Sequence, residues 1–249
     1  MNNVYIYDNS FKSLLDLIWC LLENKIVPFN IKDRNYNADL FDNLIYLKIE
    51  DNSLVYKKLF GVDNYKIIYY VYLSMEKNKE LIIYYYILNY LNYRTKLKYM
   101  RNLKCVSEAL RISNYVQREA HKFKGFLRFK ELDSEVLYGE INPTNNILGL
   151  ISIHFQDRLK NHYWIIKDVN RGIISLYDKN KFYLLDEKVF KLSNISLSDK
   201  ELKMEELWQC LYKTISIEQR KNERCRMNFM PKKYWKYIIE VSDEDEKSC

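Results

Sequence analysis

Gln117-Arg118-Glu119-Ala120-His121-Lys122-Phe123-Lys124-Gly125-Phe126-Leu127-Arg128-Phe129 holds the turning point of this chain. Up to Gly125 the apolar residues recur at helical spacing, and beyond it they alternate. The stretch therefore reads as a basic helix that passes through a glycine into a strand. It also gathers cationic and aromatic side chains at one junction, an arrangement suited to holding a polyanion.

Upstream, the helix is expected over Val106 to Phe123, with Val106, Ala109, Ser113, Val116 and Ala120 on one side. Arg111, Tyr115, Arg118 and Lys122 fall opposite, at offsets of four, seven and eleven. A solvated outer face is the ordinary meaning of such a pattern. Its continuation through Lys124 into a strand with Phe126, Arg128 and Lys130 on one face and Leu127 and Phe129 on the other points to phosphate contact with base stacking.

Further upstream, Val4 to Tyr7 reads as a strand, followed by a helix capped by Asp8, Asn9 or Ser10 and carrying Phe11, Leu14, Leu15, Ile18, Leu21 and Leu22. Residues 26–44 read as a loop and 44–49 as a strand. Helices are expected over about 53–60, 65–75 and 80–93. Downstream, 126–132 and 136–141 form a hairpin across Asp133-Ser134, and Ile147, Leu148, Ile151, Phe155 and Leu159 mark an amphipathic helix. Strands at 163–169, 173–177 and 182–185 follow, joined by turns at Asn170-Arg171-Gly172 and Asp178-Lys179-Asn180. Met204, Leu207, Trp208, Leu211, Tyr212 and Ile215 mark one face of a long helix that runs on into a second basic segment.

These elements predict an α+β fold with a mainly helical N-terminal half. A ββα unit plus antiparallel meander fills the middle, and a long helix with a basic, aromatic tail closes the chain. They are expected in one domain, with a helical part over about 1–123, a sheet part over about 124–190, and the final helix and tail over about 200–240.

The chain has 249 residues, 48% of them hydrophobic, and a formal charge of +7. Such a length can bury a substantial core. From Arg94 to Lys130 eleven Lys or Arg face two Glu, a net of +9, and from Lys213 to Lys236 eight face two Glu, a net of +6. The rest of the chain therefore sums to −8. An acidic body carrying two basic segments favours an anionic partner on one surface.

The second segment, Glu218 to Lys236, mixes Arg220, Lys221, Asn222, Arg224, Lys232 and Lys233 with Phe229, Tyr234 and Trp235. It offers charge pairing, base-edge hydrogen bonds and stacking. Docking of its aromatics on the core with the lysines left in water is the other reading, and the two are compatible.

Met1-Asn2-Asn3-Val4 lacks the features of a signal peptide, and the longest apolar run, Leu81 to Leu91, is too short for a bilayer, so a cytoplasmic protein without membrane contact is expected. Cys20, Cys105, Cys210, Cys225 and Cys249 are far apart with no Cys-x-x-Cys pair, so no metal site is expected. Cys20 and Cys210 lie among apolar helical positions, where a small buried side chain is the default. The five glycines are scattered, which disfavours P-loop and Rossmann chemistry and any small-molecule cofactor in this chain.

The runs Arg118 to Phe129, Tyr138-Gly139-Glu140-Ile141-Asn142-Pro143, His154-Phe155-Gln156-Asp157-Arg158, Trp164 to Arg171, Arg220-Lys221-Asn222 and Phe229 to Trp235 together resemble a bacterial family of DNA-repair or DNA-metabolism proteins built on a domain of unknown function. The resemblance runs over nearly the whole chain in the same order. It implies DNA as a ligand and pairing with a radical S-adenosylmethionine protein, and relatives are fused to a uracil-DNA-glycosylase-like domain. On that expectation S-adenosylmethionine and an iron–sulfur cluster belong to the partner, since this chain has no radical S-adenosylmethionine cysteine triplet. Asn142 replaces the usual acidic residue before Pro143, and Asn145 stands near the histidine of a Pro-x-His-Asn pattern, which leaves that loop without an acid or base.

Glu140 and Asp168 then stand as candidate general acid and base, and His154 as a proton shuttle. Arg128, Arg158 and Arg171 are candidate clamps for phosphate, and His121 joins the basic helix. Structural roles for the histidines and turn or ion-pair roles for the carboxylates are the competing readings. Three functions follow: a DNA-binding accessory of a repair or base-modification partner, an enzyme acting on a damaged or flipped base, and a protein scaffold without DNA affinity.

Overall fold

The computed structural model describes residues 2–47, 56–189 and 196–239. The fold is α+β. The chain divides into two compact units, 1–118 and 119–249, with the division falling inside one long helix.

In the first unit, β1 (Asn2–Tyr7) lies between β2 (Asn30–Asp33) and β3 (Asp42–Ile45), and both pairings are parallel. Helix α1 (Phe11–Glu23) is opened by Ser10, whose Oγ accepts from Ser13 N at 3.0 Å, so one of the three expected caps is the one used. Leu14, Leu17, Ile18 and Leu21 are fully buried and recur at helical spacing. α2 (Tyr56–Leu73) and α3 (Lys79–Tyr93) follow. α2 is kinked at Gly61, where φ is +73° and a side chain would be strained. Strand β2 corrects the expected loop over 26–44. It is four residues long, and among them only Ile31 is fully buried, so it carries almost no alternation. The expected strand over 44–49 begins earlier, at Asp42, and residues 48–55 lie outside the described ones.

Helix α4 (Lys104–Phe126) carries the basic stretch across the division between the units. Its buried residues are those the wheel put inside, joined by Ile112, Glu119 and Phe123. The helix does not stop at Gly125 but includes it, and the strand that follows, β4 (Lys130–Glu131), is only two residues long. The expected strand over 126–132 is thus mostly connection.

The second unit is built on a five-stranded sheet of order β4-β5-β6-β7-β8, with β5 (Leu137–Ile141), β6 (Trp164–Asp168), β7 (Ile173–Tyr177) and β8 (Phe182–Asp186). The hairpin β4–β5 and the meander β6–β7–β8 are antiparallel, but β5 and β6 run parallel, joined through α5 (Leu148–Arg158) as a βαβ unit. The crossover is what places α5 on a face of the sheet. There the Ser152 and Ser175 hydroxyls meet at 2.7 Å in a fully buried layer that also holds Ile151, Ile166 and Trp164, the last stacked on Tyr177. On the other face Leu132, Tyr138, Ile165 and Ile174 form a second apolar cluster, extended by Leu197. Gly139 sits where a Cβ would come within 2.8 Å of Leu127 Cδ1 and 3.2 Å of the Arg128 carbonyl, so the absence of a side chain is what lets the end of the basic stretch cross β5.

The chain closes with α6 (Asp199–Ile215), a 3₁₀ turn Glu218–Arg220, α7 (Glu223–Phe229) and a 3₁₀ segment Lys232–Tyr237. The expected continuous helix into the second basic segment is therefore broken after Ile215. Cys210, expected to be buried, is exposed, and Cys20 is half-buried. Among the described residues no helix is long and apolar enough to cross a membrane.

Candidate nucleic-acid interface

Within the second unit the two basic segments meet. The Tyr234 ring packs against Phe123 and Phe126, each with centroids 5.0 Å apart, and Lys233 Nζ lies 3.3 Å from Glu119 Oε1. Glu119, Phe123 and Phe126 are spaced four and three residues apart, so they present one face of α4 to the 3₁₀ segment. Phe123 and Tyr234 are buried, and Lys232 and Lys236 flank Tyr234 in the same 3₁₀ segment.

Around this seam the cations are largely unneutralised. His121 is exposed and Lys122 and Lys124 are partly exposed on α4, while Lys232 and Lys236 are exposed. Among the described residues Lys122, Lys124, Lys232 and Lys236 have no carboxylate partner. Arg158, exposed in the last turn of α5, also has none. His154 lies within the electrostatic reach of Lys124 and Arg158. Its imidazole is held below the ordinary histidine value, first by burial and then by the charges of Lys124 and Arg158, against a smaller opposite pull from Asp157. A positive field of this kind favours a phosphate chain.

The remaining expected contacts divide. Arg220, Lys221, Asn222 and Arg224 are exposed, with Asn222 capping α7 through Oδ1 to Cys225 N at 2.9 Å. Arg118 is exposed as the last residue of the first unit. Arg111 is exposed there too, but Glu76 pairs with it at 2.9 Å. Trp235 is 3% exposed, with Nε1 donating to the Met230 carbonyl and Arg226 lying 4.4 Å over its ring. The expected stacking platform is instead a core residue, because the 3₁₀ turn directs Tyr234 and Trp235 inward together. Arg171 is likewise withdrawn. Its side chain, 14% exposed, binds Asp168 Oδ2 at 3.0 Å and the Pro143 and Thr144 carbonyls.

The candidate catalytic trio does not converge. Glu140 is in register with Lys167 and Asp168 with Ile141, so alternation along β5 and β6 sends the two carboxylates to opposite faces of the sheet. Asp168 is fully buried, and its Oδ1 accepts from Asn170 N and Arg171 N in the turn. Burial pushes its carboxyl up, with Arg171 and these donors pulling the other way. Glu140 accepts from Tyr138 Oη at 2.6 Å and lines a cleft of about 340 Å³ with Arg128, Lys130, Glu205, Lys236 and Tyr237. His154 lies on α5. The acid–base arrangement proposed from sequence is replaced by separate structural pairings.

Sequence reasoning passed over Glu119. Its carboxylate, 4% exposed, accepts from Thr144 N and Asn145 N at 2.9 Å and from Asn145 Nδ2 at 2.6 Å, in addition to Lys233. Burial alone would raise its pKa, but these donors and Lys233 outweigh it and hold the carboxyl below the ordinary value. The signal was present: an acid flanked at helical spacing by Val116, Ala120 and Phe123 stands on the buried face. Glu119 joins α4, the Pro143–Asn145 loop and the basic tail.

A second cleft, of about 490 Å³, lies in the first unit at the carboxyl end of β1. Its polar groups are engaged with each other or with neighbours, Arg34 with Asp8 and Asp16 with Tyr56. Among the described residues no group of three or more His, Cys, Asp or Glu is placed to hold a metal.

Residues 77–240 match the family described as Domain of unknown function, DUF4130. No curated protein and no solved structure matches the chain.

Proposed function

The chain belongs to the DUF4130 family of domains of unknown function, and we propose that it is a nucleic-acid-binding accessory protein of DNA repair or DNA modification. The observation that carries this reading is the packing of Tyr234 on Phe123 and Phe126, which joins the segment carrying Lys232 and Lys236 to the end of α4 that carries Lys122 and Lys124. Two stretches about a hundred residues apart thereby supply one cationic surface, to which α5 adds Arg158 and His154. A sugar-phosphate strand lying there would release counterions for each phosphate neutralised. The solvated-face reading of the basic helix accounts for the charge but not for its doubling by a second segment.

Direct chemistry on a base is disfavoured by the opposed carboxylates, so the reactive step falls to a partner. The sequence resemblance supports a radical S-adenosylmethionine protein in that role, bringing the S-adenosylmethionine and the iron–sulfur cluster. Copurification with such a partner that survives nuclease treatment is the result expected of it.

Fluorescence anisotropy with single- and double-stranded DNA across a salt series tests the binding. On duplex DNA the logarithm of affinity falls linearly with the logarithm of salt, and Lys122→Ala with Lys124→Ala lowers the slope by about 2, or about 0.9 per lost phosphate contact. Absent or salt-independent binding overturns the proposal.

A further inference from the structure

Helix α6 is attached to its unit by the wrong edge for an amphipathic helix. Glu201 Oε2 accepts from Glu131 N at 3.1 Å, Glu205 pairs with Lys130 at 2.8 Å, and Gln209 Nε2 donates to the Ile239 carbonyl at 3.5 Å. Meanwhile Met204, Leu207, Trp208, Leu211 and Ile215 are 46–65% exposed, and no residue of the helix is apolar and buried. Their spacing of four, three and four from Met204 through Trp208 and Leu211 to Ile215 is that of a coiled-coil seam, with Leu207 flanking it. An unbroken apolar stripe of this length on a surface is an association site.

We propose that this stripe is covered by the same helix of a second copy of the chain, packed antiparallel about a two-fold axis. Charge selects this occupant. Asp199 to Glu206 holds four acids and two lysines, a net of −2, whereas Leu207 to Ile215, the rest of the helix, holds Lys213 and no acid, a net of +1. An antiparallel pair lays each acidic half along the basic half of the other copy and opposes the two helix dipoles favourably. A parallel pair sets like against like. With the axis between Trp208 and Leu211, each Trp208 meets Leu211 of the second copy, and each Met204 meets Ile215. The seam is two heptads long, which corresponds to a reversible dimer rather than an obligate one. This interface stands apart from the nucleic-acid reading and survives its failure.

Sedimentation velocity of the full chain over a concentration series tests it, with dimer expected to appear from roughly micromolar concentrations upward. Leu207→Glu with Leu211→Glu converts the dimer to monomer with an unchanged melting temperature, because both side chains are exposed within the protomer. Register is read by oxidative crosslinking. Met204→Cys with Ile215→Cys crosslinks between copies, while either single variant gives only the background of the native cysteines, since positions 204 and 215 lie about 16 Å apart along the helix. A monomer at every concentration, a dimer indifferent to the Glu pair, or crosslinking by Met204→Cys alone overturns the proposal, including the case where a different protein covers the stripe.

Discussion

Glu119→Gln is the sharpest perturbation of the seam between the basic segments. The substitution keeps the shape of the side chain but turns one acceptor oxygen into a donor. In wild type one oxygen serves Asn145 N and Nδ2 and the other serves Thr144 N and Lys233. The cheaper orientation of the amide keeps its oxygen on Asn145 and points its nitrogen at Thr144 N, because Lys233, 46% exposed, can turn to water. One backbone donor is then orphaned and the charge assistance of the others is lost, a cost of about 2–4 kcal/mol. For a chain of this size that corresponds to a fall of roughly 5–15 °C in melting temperature. Thermal melts give the total, and hydrogen exchange at the Thr144 and Asn145 amides locates it. The pH dependence has a defined sign. Since the folded-state pKa of Glu119 is depressed, its contribution is full above the ordinary glutamate range and is lost as pH falls through the folded value. Glu119→Gln should therefore be less stable than wild type at neutral pH, with the gap closing in acid. A variant that melts with wild type and keeps the same exchange protection would sink this account of Glu119.

Trp235→Ala is expected to cost about 3–5 kcal/mol of stability, as for other buried large-to-small changes, and a denaturant titration measures it. If Trp235 stacked on bases instead, the variant would melt normally and lose only DNA affinity. His154, whose pKa is depressed partly by Lys124 and Arg158, should titrate below the ordinary histidine value in the free protein and shift upward when DNA phosphates approach these cations. An NMR titration of the imidazole with and without DNA reads the shift, and an unmoved pKa in the complex would separate His154 from the binding surface.

Some features were written in local pattern. The strand at Val4–Tyr7, the Ser10 cap, the buried period of α4, helix α5 and the turn at Asp178-Lys179-Asn180 follow from spacing and turn chemistry, which act over a few residues. Strand β2 escaped notice because four residues with one fully buried side chain give no period. Glu119 was visible as an acid on an apolar face, but its partners at Thr144, Asn145 and Lys233 were not. The candidate site is legible as two basic segments, and of the two readings the tail allows, docking on the core is the one Tyr234 and Trp235 follow, while the candidate clamp Arg171 follows the ion-pair reading with Asp168.

The amino-acid order alone settled the strongly periodic segments, such as α1, α4 and α5, and how charge is distributed along the chain, because both are properties of neighbours in sequence. Which surfaces are covered depended on distant segments meeting. The parallel register of β5 with β6 sent Glu140 and Asp168 to opposite faces, the fit of Tyr234 against Phe123 and Phe126 joined the basic segments, and the polar attachment of α6 left its apolar stripe facing solvent. Helical period specifies that a stripe exists. Only tertiary packing decides what lies against it.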